Sequence, residues 1–212
     1  MASRAEPEEA RRSFAVAMTG ASGAAYGIRL IEALSEAGHE VHFMLSGPAR
    51  RVLCYEEGLD LGSGPPDLER LFRCPERVLY HPNDAVEAAP ASGSAGIEAL
   101  VVCPCSMGPL ARIAHGYSIG LIERAADVML KEGRTLVLVP RETPLGLLHL
   151  ENMQRLAQLG AVLLPAMPGF YHRPESVQDL IDFVVGKILG RLRVESRLCR
   201  RWKTPEGYED PT

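Results

Sequence analysis

Six short apolar runs alternate with amphipathic stretches along this chain, and that alternation limits its possible folds more than any other feature. Residues 14–18, 40–45, 78–80, 99–103, 135–139 and 161–164 read as strands. Helical patterns occupy residues 24–37, 48–57, 110–115, 121–131 and 145–160, and a closing amphipathic helix spans 177–192. Ile28, Ile31 and Leu34 recur at helical spacing, and Gly38 and Gly58 stand where helices stop. Parallel neighbours need crossovers, and helices are the usual ones. The pattern therefore predicts an α/β fold: a three-layer Rossmann-like or flavodoxin-like sandwich with a mainly parallel sheet.

With 212 residues the chain has material for one substantial core and is short for two. The Gly/Pro stretch at 61–66 is too brief for a domain linker, so a single domain is expected over residues 13–192. Residues 1–12 are charged and lack aromatics, which predicts a loose N-terminal arm, and residues 193–212 form a C-terminal tail. A net charge of -4 argues against a chain-wide nucleic-acid surface, so any phosphate site must be assembled locally. The cysteines, Cys54, Cys74, Cys103, Cys105 and Cys199, are odd in number and lack paired metal-site spacing. A reducing cytoplasm and no metal are expected. No run approaches the roughly 18 apolar residues of a membrane span, and the first 13 residues lack the apolar centre of a signal peptide. A soluble, unprocessed protein is expected, with neither membrane nor nucleic acid as partner.

The strand at 135–139 runs into Pro140-Arg141-Glu142-Thr143-Pro144. Open α/β sheets bind ligands at the carboxyl ends of their strands, and a planar guanidinium there matches phosphate oxygens. Two other strand ends carry small-residue turns. In Thr19-Gly-Ala-Ser-Gly-Ala-Ala-Tyr-Gly27 the glycines permit close backbone approach and the next helix offers N–H groups to an anion, which favours phosphate binding over the tight helix packing such a turn also serves. Val102-Cys-Pro-Cys-Ser-Met-Gly-Pro-Leu110 repeats the arrangement, with Ser106 and the N–H groups of Met107 and Gly108 before a helix whose first turn can accommodate Pro109. Cys103 and Cys105 read as packing residues. Arg124 and Lys131, seven apart, can project from one helix face, which by charge pattern alone reads as solvated. Phe170, Tyr171 and His172, set among turn-formers after the last strand, suit a pocket wall.

Met18-Thr-Gly-Ala-Ser-Gly, Val102-Cys-Pro-Cys-Ser-Met-Gly, Arg124-Ala-Ala-Asp-Val, Leu138-Val-Pro-Arg-Glu-Thr-Pro-Leu, His149-Leu-Glu-Asn-Met and Leu164-Pro-Ala-Met-Pro-Gly-Phe-Tyr-His-Arg-Pro together resemble the UbiX-type flavin prenyltransferases. The resemblance runs over residues 14–192, with a weaker echo at Arg201-Trp202. It implies metal-independent transfer of a dimethylallyl group from dimethylallyl monophosphate to N5 and C6 of reduced FMN, yielding prenylated FMN for UbiD-type decarboxylases, in a dodecamer with sites at subunit interfaces.

On that resemblance, Gly20, Ala21, Ser22, Ser46, Ser106, Met107, Gly108, Pro109 and Arg141 hold FMN. Arg124, Lys131, Arg141, Glu142, Tyr171 and Lys187 grip the prenyl phosphate. Ser22 and Glu56 handle protons, Lys131 and Glu142 serve the reaction, and Trp202 packs over the site. The resemblance thus overrides the solvated-face reading of Arg124 and Lys131. Pro109 stands where relatives often carry threonine, and Lys187 where many carry arginine, so a hydroxyl and a bidentate fork are expected to be missing. A tryptophan that some relatives place near residues 83–87 is absent, while Ala91-Ser-Gly-Ser94 is retained. The rival readings are a flavin-dependent cysteine decarboxylase of the phosphopantothenoylcysteine type and a non-catalytic FMN carrier.

Overall fold

The computed structural model describes residues 11–196 and 198. Strand β1 (Ser13–Met18) leads to α1 (Ala24–Glu36), β2 (Glu40–Leu45) and α2 (Gly47–Glu57). A one-turn helix α3 (Leu68–Leu71) precedes β3 (Val78–Pro82), then β4 (Ala99–Cys105), α4 (Met107–Ala114) and α5 (Leu121–Lys131). β5 (Thr135–Pro140), α6 (Leu147–Gln158), β6 (Val162–Leu163) and α7 (Val177–Leu192) complete the chain. All strand pairs are parallel, in the order β3-β2-β1-β4-β5-β6. The expected α/β sandwich is therefore present, with the strand order of a doubly wound dinucleotide-binding sheet and its reversal between β1 and β4.

The sheet divides the core into two layers. Phe14, Val16, Phe43, Val101 and Val139 face α1, α2 and α7; Ala15, Met44, Leu100, Val102 and Leu138 face α4, α5 and α6. Because both faces are covered, β4 is buried at all seven positions and reads as one apolar run rather than an alternating one. Each large side chain so buried contributes about 1.5–3 kcal/mol.

Long periodic elements fall where their spacing put them, α5 and α7 to the residue. Differences arise at breakers. β4 continues two residues beyond the expected Cys103, and its register against β5 shifts between Val102 and Cys105, because Pro104 has no N–H to give the ladder. α4 starts at Met107, three residues early, since Pro109 in the first turn loses no intrahelical bond. The segment expected as a plain loop at 88–96 holds two 3-10 turns, Ala89–Ala91 and Gly93–Ala95, too short to leave a periodic trace. α3 was missed for the same reason. Four described cysteines, Cys54, Cys74, Cys103 and Cys105, are free. No helix among the described residues is long and apolar enough to cross a membrane.

Gly27 sets the distance between α1 and the sheet. A Cβ there would lie 2.5 Å from the carbonyl oxygen of Cys103 and 2.9 Å from two atoms of the Met18 side chain. Gly27→Ala is expected to destabilise the fold by about 1–3 kcal/mol, because backbone cannot yield as a side-chain tip can. An unchanged urea midpoint for this variant would show that α1 can slide.

Candidate active site at the carboxyl edge of the sheet

The strand order reverses between β1 and β4, and a threonine joins the turns that follow them. The Thr19 N–H and hydroxyl both donate to the Pro104 carbonyl, at 3.1 and 2.9 Å, while the Thr19 oxygen accepts from Ser106 N–H at 2.7 Å and from the Ser106 hydroxyl at 3.1 Å. Thr19 is 1% exposed, so this is a structural clamp. It was missed in the sequence because its partners lie more than 80 positions away. The clamp also commits the Ser106 N–H and hydroxyl, leaving the expected donors Met107 N–H and Gly108 N–H at the opening of α4.

The N-terminus of α1 already has its anion. Glu56, on the last turn of α2, accepts from both Gly23 N–H and Ala24 N–H at 2.9 Å. The sequence reading expected those N–H groups to be open to an external phosphate, and the protein's own carboxylate occupies them instead. Gly23 adopts φ 103 to turn the chain there, a conformation that favours glycine. Burial tends to raise the Glu56 pKa. The Ser22 hydroxyl, the Ala24 and Gly23 N–H groups and the nearby Arg141 charge outweigh it and hold the carboxyl below its ordinary range. Ser22, Glu56 and Arg141 thus converge although they come from three separate loops and helices.

Around them stand other residues expected at the site. A Cβ on Gly20 would meet the Pro48 Cβ at 2.5 Å, so the first turn lies directly against α2. Buried Ala21 follows it, and Ser46 caps α2 by accepting from Ala49 N–H at 3.2 Å. The Arg141 backbone N–H donates to the Cys105 carbonyl, extending the sheet edge, while its side-chain Nε is buried without a partner. A buried guanidinium N–H lacking an acceptor is costly, which fits a site that receives an anion. Glu142 is exposed beside it, its carboxylate accepting from Thr143 N–H at 2.9 Å. Cys103 and Cys105 are fully buried, and burial pushes the Cys105 thiol up to about 12 and the Cys103 thiol higher still, so both stay protonated at neutral pH.

The remaining expected residues are not gathered by one chain. Arg124 and Lys131 lie on α5, on the α4–α6 side of the sheet, with Arg124 paired to Asp127 at 2.9 Å. Lys131 is exposed beside a groove that includes Asp127 and Arg155. Tyr171 and Lys187 lie on the α7 side, both against Phe183: the Tyr171 ring at 5.6 Å edge-on, the Lys187 Nζ at 5.3 Å from the ring centre. Trp202 lies outside the described residues. No group of three or more His, Cys, Asp or Glu able to hold a metal occurs among the described residues.

The flavoprotein family profile matches residues 2–189. Among curated proteins, the flavin prenyltransferase UbiX of Pseudomonas aeruginosa is 49% identical over 88% of this chain and 92% of its own, and that of Halalkalibacterium halodurans 46% over 89% and 92%. Among solved structures, a dodecameric FMN-dependent UbiX-like decarboxylase from Escherichia coli O157:H7 superposes with a TM-score of 0.80 at 40% identity, covering 91% of this chain and 100% of that one. A UbiX in complex with FMN and dimethylallyl pyrophosphate reaches 0.82 at 40% identity, covering 94% and 100%. A PPC decarboxylase mutant, at 20% identity and 0.56, shares the fold alone. The chain belongs to the UbiX-type flavin prenyltransferases of the flavoprotein family.

Proposed function

We propose that this protein transfers the dimethylallyl group of dimethylallyl monophosphate to N5 and C6 of reduced FMN, releasing phosphate and making prenylated FMN for a UbiD-type decarboxylase. The observation that carries the reading is the convergence of Ser22, Glu56 and the unpartnered Arg141 Nε at the strand-order reversal, in a chain 49% identical to a flavin prenyltransferase. Gly20, Ala21, Ser22, Ser46 and the turn from Ser106 to Pro109 would hold FMN together with Arg141. When bound and reduced, FMN supplies the electron-rich atoms that capture the prenyl carbons.

The protein's own part is electrostatic and positional. Arg124, Lys131, Arg141 and Lys187 would neutralise the phosphate as the C–O bond breaks, the task a metal performs where the leaving group is a diphosphate. Tyr171 would wall off the prenyl side, and Glu142 would orient the cations. Glu56, ionised well below neutral pH, starts as a proton acceptor and can pass a proton through the Ser22 hydroxyl.

Because the α5 cations and the Tyr171–Lys187 pair lie on opposite faces of the sheet, a complete phosphate site needs neighbouring copies. Exposed Leu147 and Leu148, 70% and 72% accessible, support such assembly, and a dodecamer is the proposed state. The free cysteines fit a reducing cytoplasm. The direct test is to mix the protein anaerobically with reduced FMN and dimethylallyl monophosphate and to weigh the flavin. Gain of one five-carbon unit is expected; an unchanged flavin mass would exclude the transferase and leave an FMN carrier.

A further inference from the structure

A cavity of about 560 Å³ opens at the amino-terminal edge of the sheet, the end opposite the Arg141 site. It lies between the starts of β4, β5 and β6 and the last turn of α7, and four arginines line it: Arg12, Arg134, Arg191 and Arg193. We propose that this cavity is a second anion site, built for the phosphate chain of a small polyphosphorylated molecule.

Charge balance supports this. Arg12 is neutralised, its Nε and Nη2 donating to Glu98 Oε2 at 2.9 and 2.7 Å. It also donates to the carbonyls of Leu192 and Arg193 and so screens the negative end of the α7 dipole. Among the described residues, Arg134 bonds only to neutral carbonyls, those of Ile97 and Gly93. Arg191 and Arg193 are exposed, and their side chains have no partner among the described residues. Among the described residues, three positive charges therefore stand without a paired carboxylate, in a protein whose net charge is -4. A ligand bearing two or three linked phosphates matches that charge, and guanidinium forks match its oxygens.

Backbone choices in the last turn of α7 run against helix preference in the same direction. Gly190 sits inside the helix, where glycine is disfavoured, and a Cβ there would meet nothing within 4 Å, so its absence keeps the cavity open. Arg193 sits at the C-cap with φ 55, where glycine is usual, so a cation occupies the position that helix ends give to a residue without a side chain. Gly133 and Gly160, also on the lining, leave open space beside them. The volume is that of a small-molecule pocket, not of a groove for a nucleic-acid duplex.

The test is calorimetric titration of protein saturated with oxidised FMN and dimethylallyl monophosphate, so that both carboxyl-edge phosphate sites are filled without reaction, with inorganic triphosphate and separately with ADP at 0.15 M salt. Saturable binding is expected, weakened at least tenfold in the double variant Arg191→Gln/Arg193→Gly, whose glycine suits the left-handed C-cap and so preserves the fold. Gly190→Leu, which favours the helix while filling the cavity, is expected to weaken binding equally. FMN affinity and prenyl transfer should be unchanged in all of them. Binding of triphosphate alone assigns the site to a free polyphosphate, and tighter binding of ADP to a nucleotide. No binding of either, or binding that survives both variants, overturns the proposal.

Discussion

Lys131→Ala is expected to slow prenyl transfer by roughly 10²–10³-fold, the usual loss when one preorganised donor to a developing charge is removed, while FMN affinity changes by less than about threefold. The dissociation follows from placement. Lys131 ends α5 and is exposed on the α4–α6 side of the sheet, whereas the turns proposed to hold FMN follow β1, β2, β4 and β5. Its role in the proposed reaction is therefore to reach a site it does not share with its own flavin turn. Single-turnover prenylation monitored by flavin absorbance, with FMN affinity from fluorescence quenching, separates the two quantities. Equal losses in both would mean that Lys131 supports the fold of the flavin site and not the departure of phosphate.

Glu56→Gln should cost about 10²–10⁴-fold in rate, the range for a positioned proton acceptor, with little change in local structure, because the amide oxygen can still accept from Gly23 and Ala24 N–H. Its stability signature is pH-dependent. The wild-type carboxyl titrates below its ordinary value of about 4.3. The ionised form therefore stabilises the fold fully above that ordinary value, and the benefit is lost as pH falls through the depressed folded value. Wild type should exceed the variant in urea midpoint at pH 7, and the gap should close as pH falls below the ordinary carboxyl value and through the depressed folded one. Since Glu56 is exposed, the gap will be modest. A gap independent of pH would show that the carboxylate's charge is not what α1 requires. Arg141 enters the same balance by holding Glu56 ionised, so weakening Arg141 should move the rate profile of the wild type toward higher pH.

Local chemistry in the chain was enough to place much of this molecule. β2, α5 and α7 coincide with the expected spans because period and length are properties of a dozen neighbouring residues. The strand–turn–helix sequences around Gly20, Ser106 and Arg141 were legible as strand ends at the carboxyl edge, the edge at which open α/β sheets bind ligands. The mapping of Glu56, by contrast, had no local signal: on α2 it is one acid beside another, Glu57. Its meaning appears only when α1 and α2 pack and its carboxylate meets N–H groups more than 30 residues earlier.

Sequence by itself determined the class of fold, the order of its elements and the three strand ends that carry the candidate phosphate turns, since periodicity, glycine turns and strand-end charges act over short distances. Tertiary structure alone decided that Thr19 clamps Ser106, that an internal carboxylate fills the first helix terminus, and that the cations of α5 and α7 stand on opposite faces of one sheet. Those outcomes depend on β1 pairing with β4 across some 85 residues, and such pairings are set by the sum of burial over the whole core, to which no single stretch of chain holds the key.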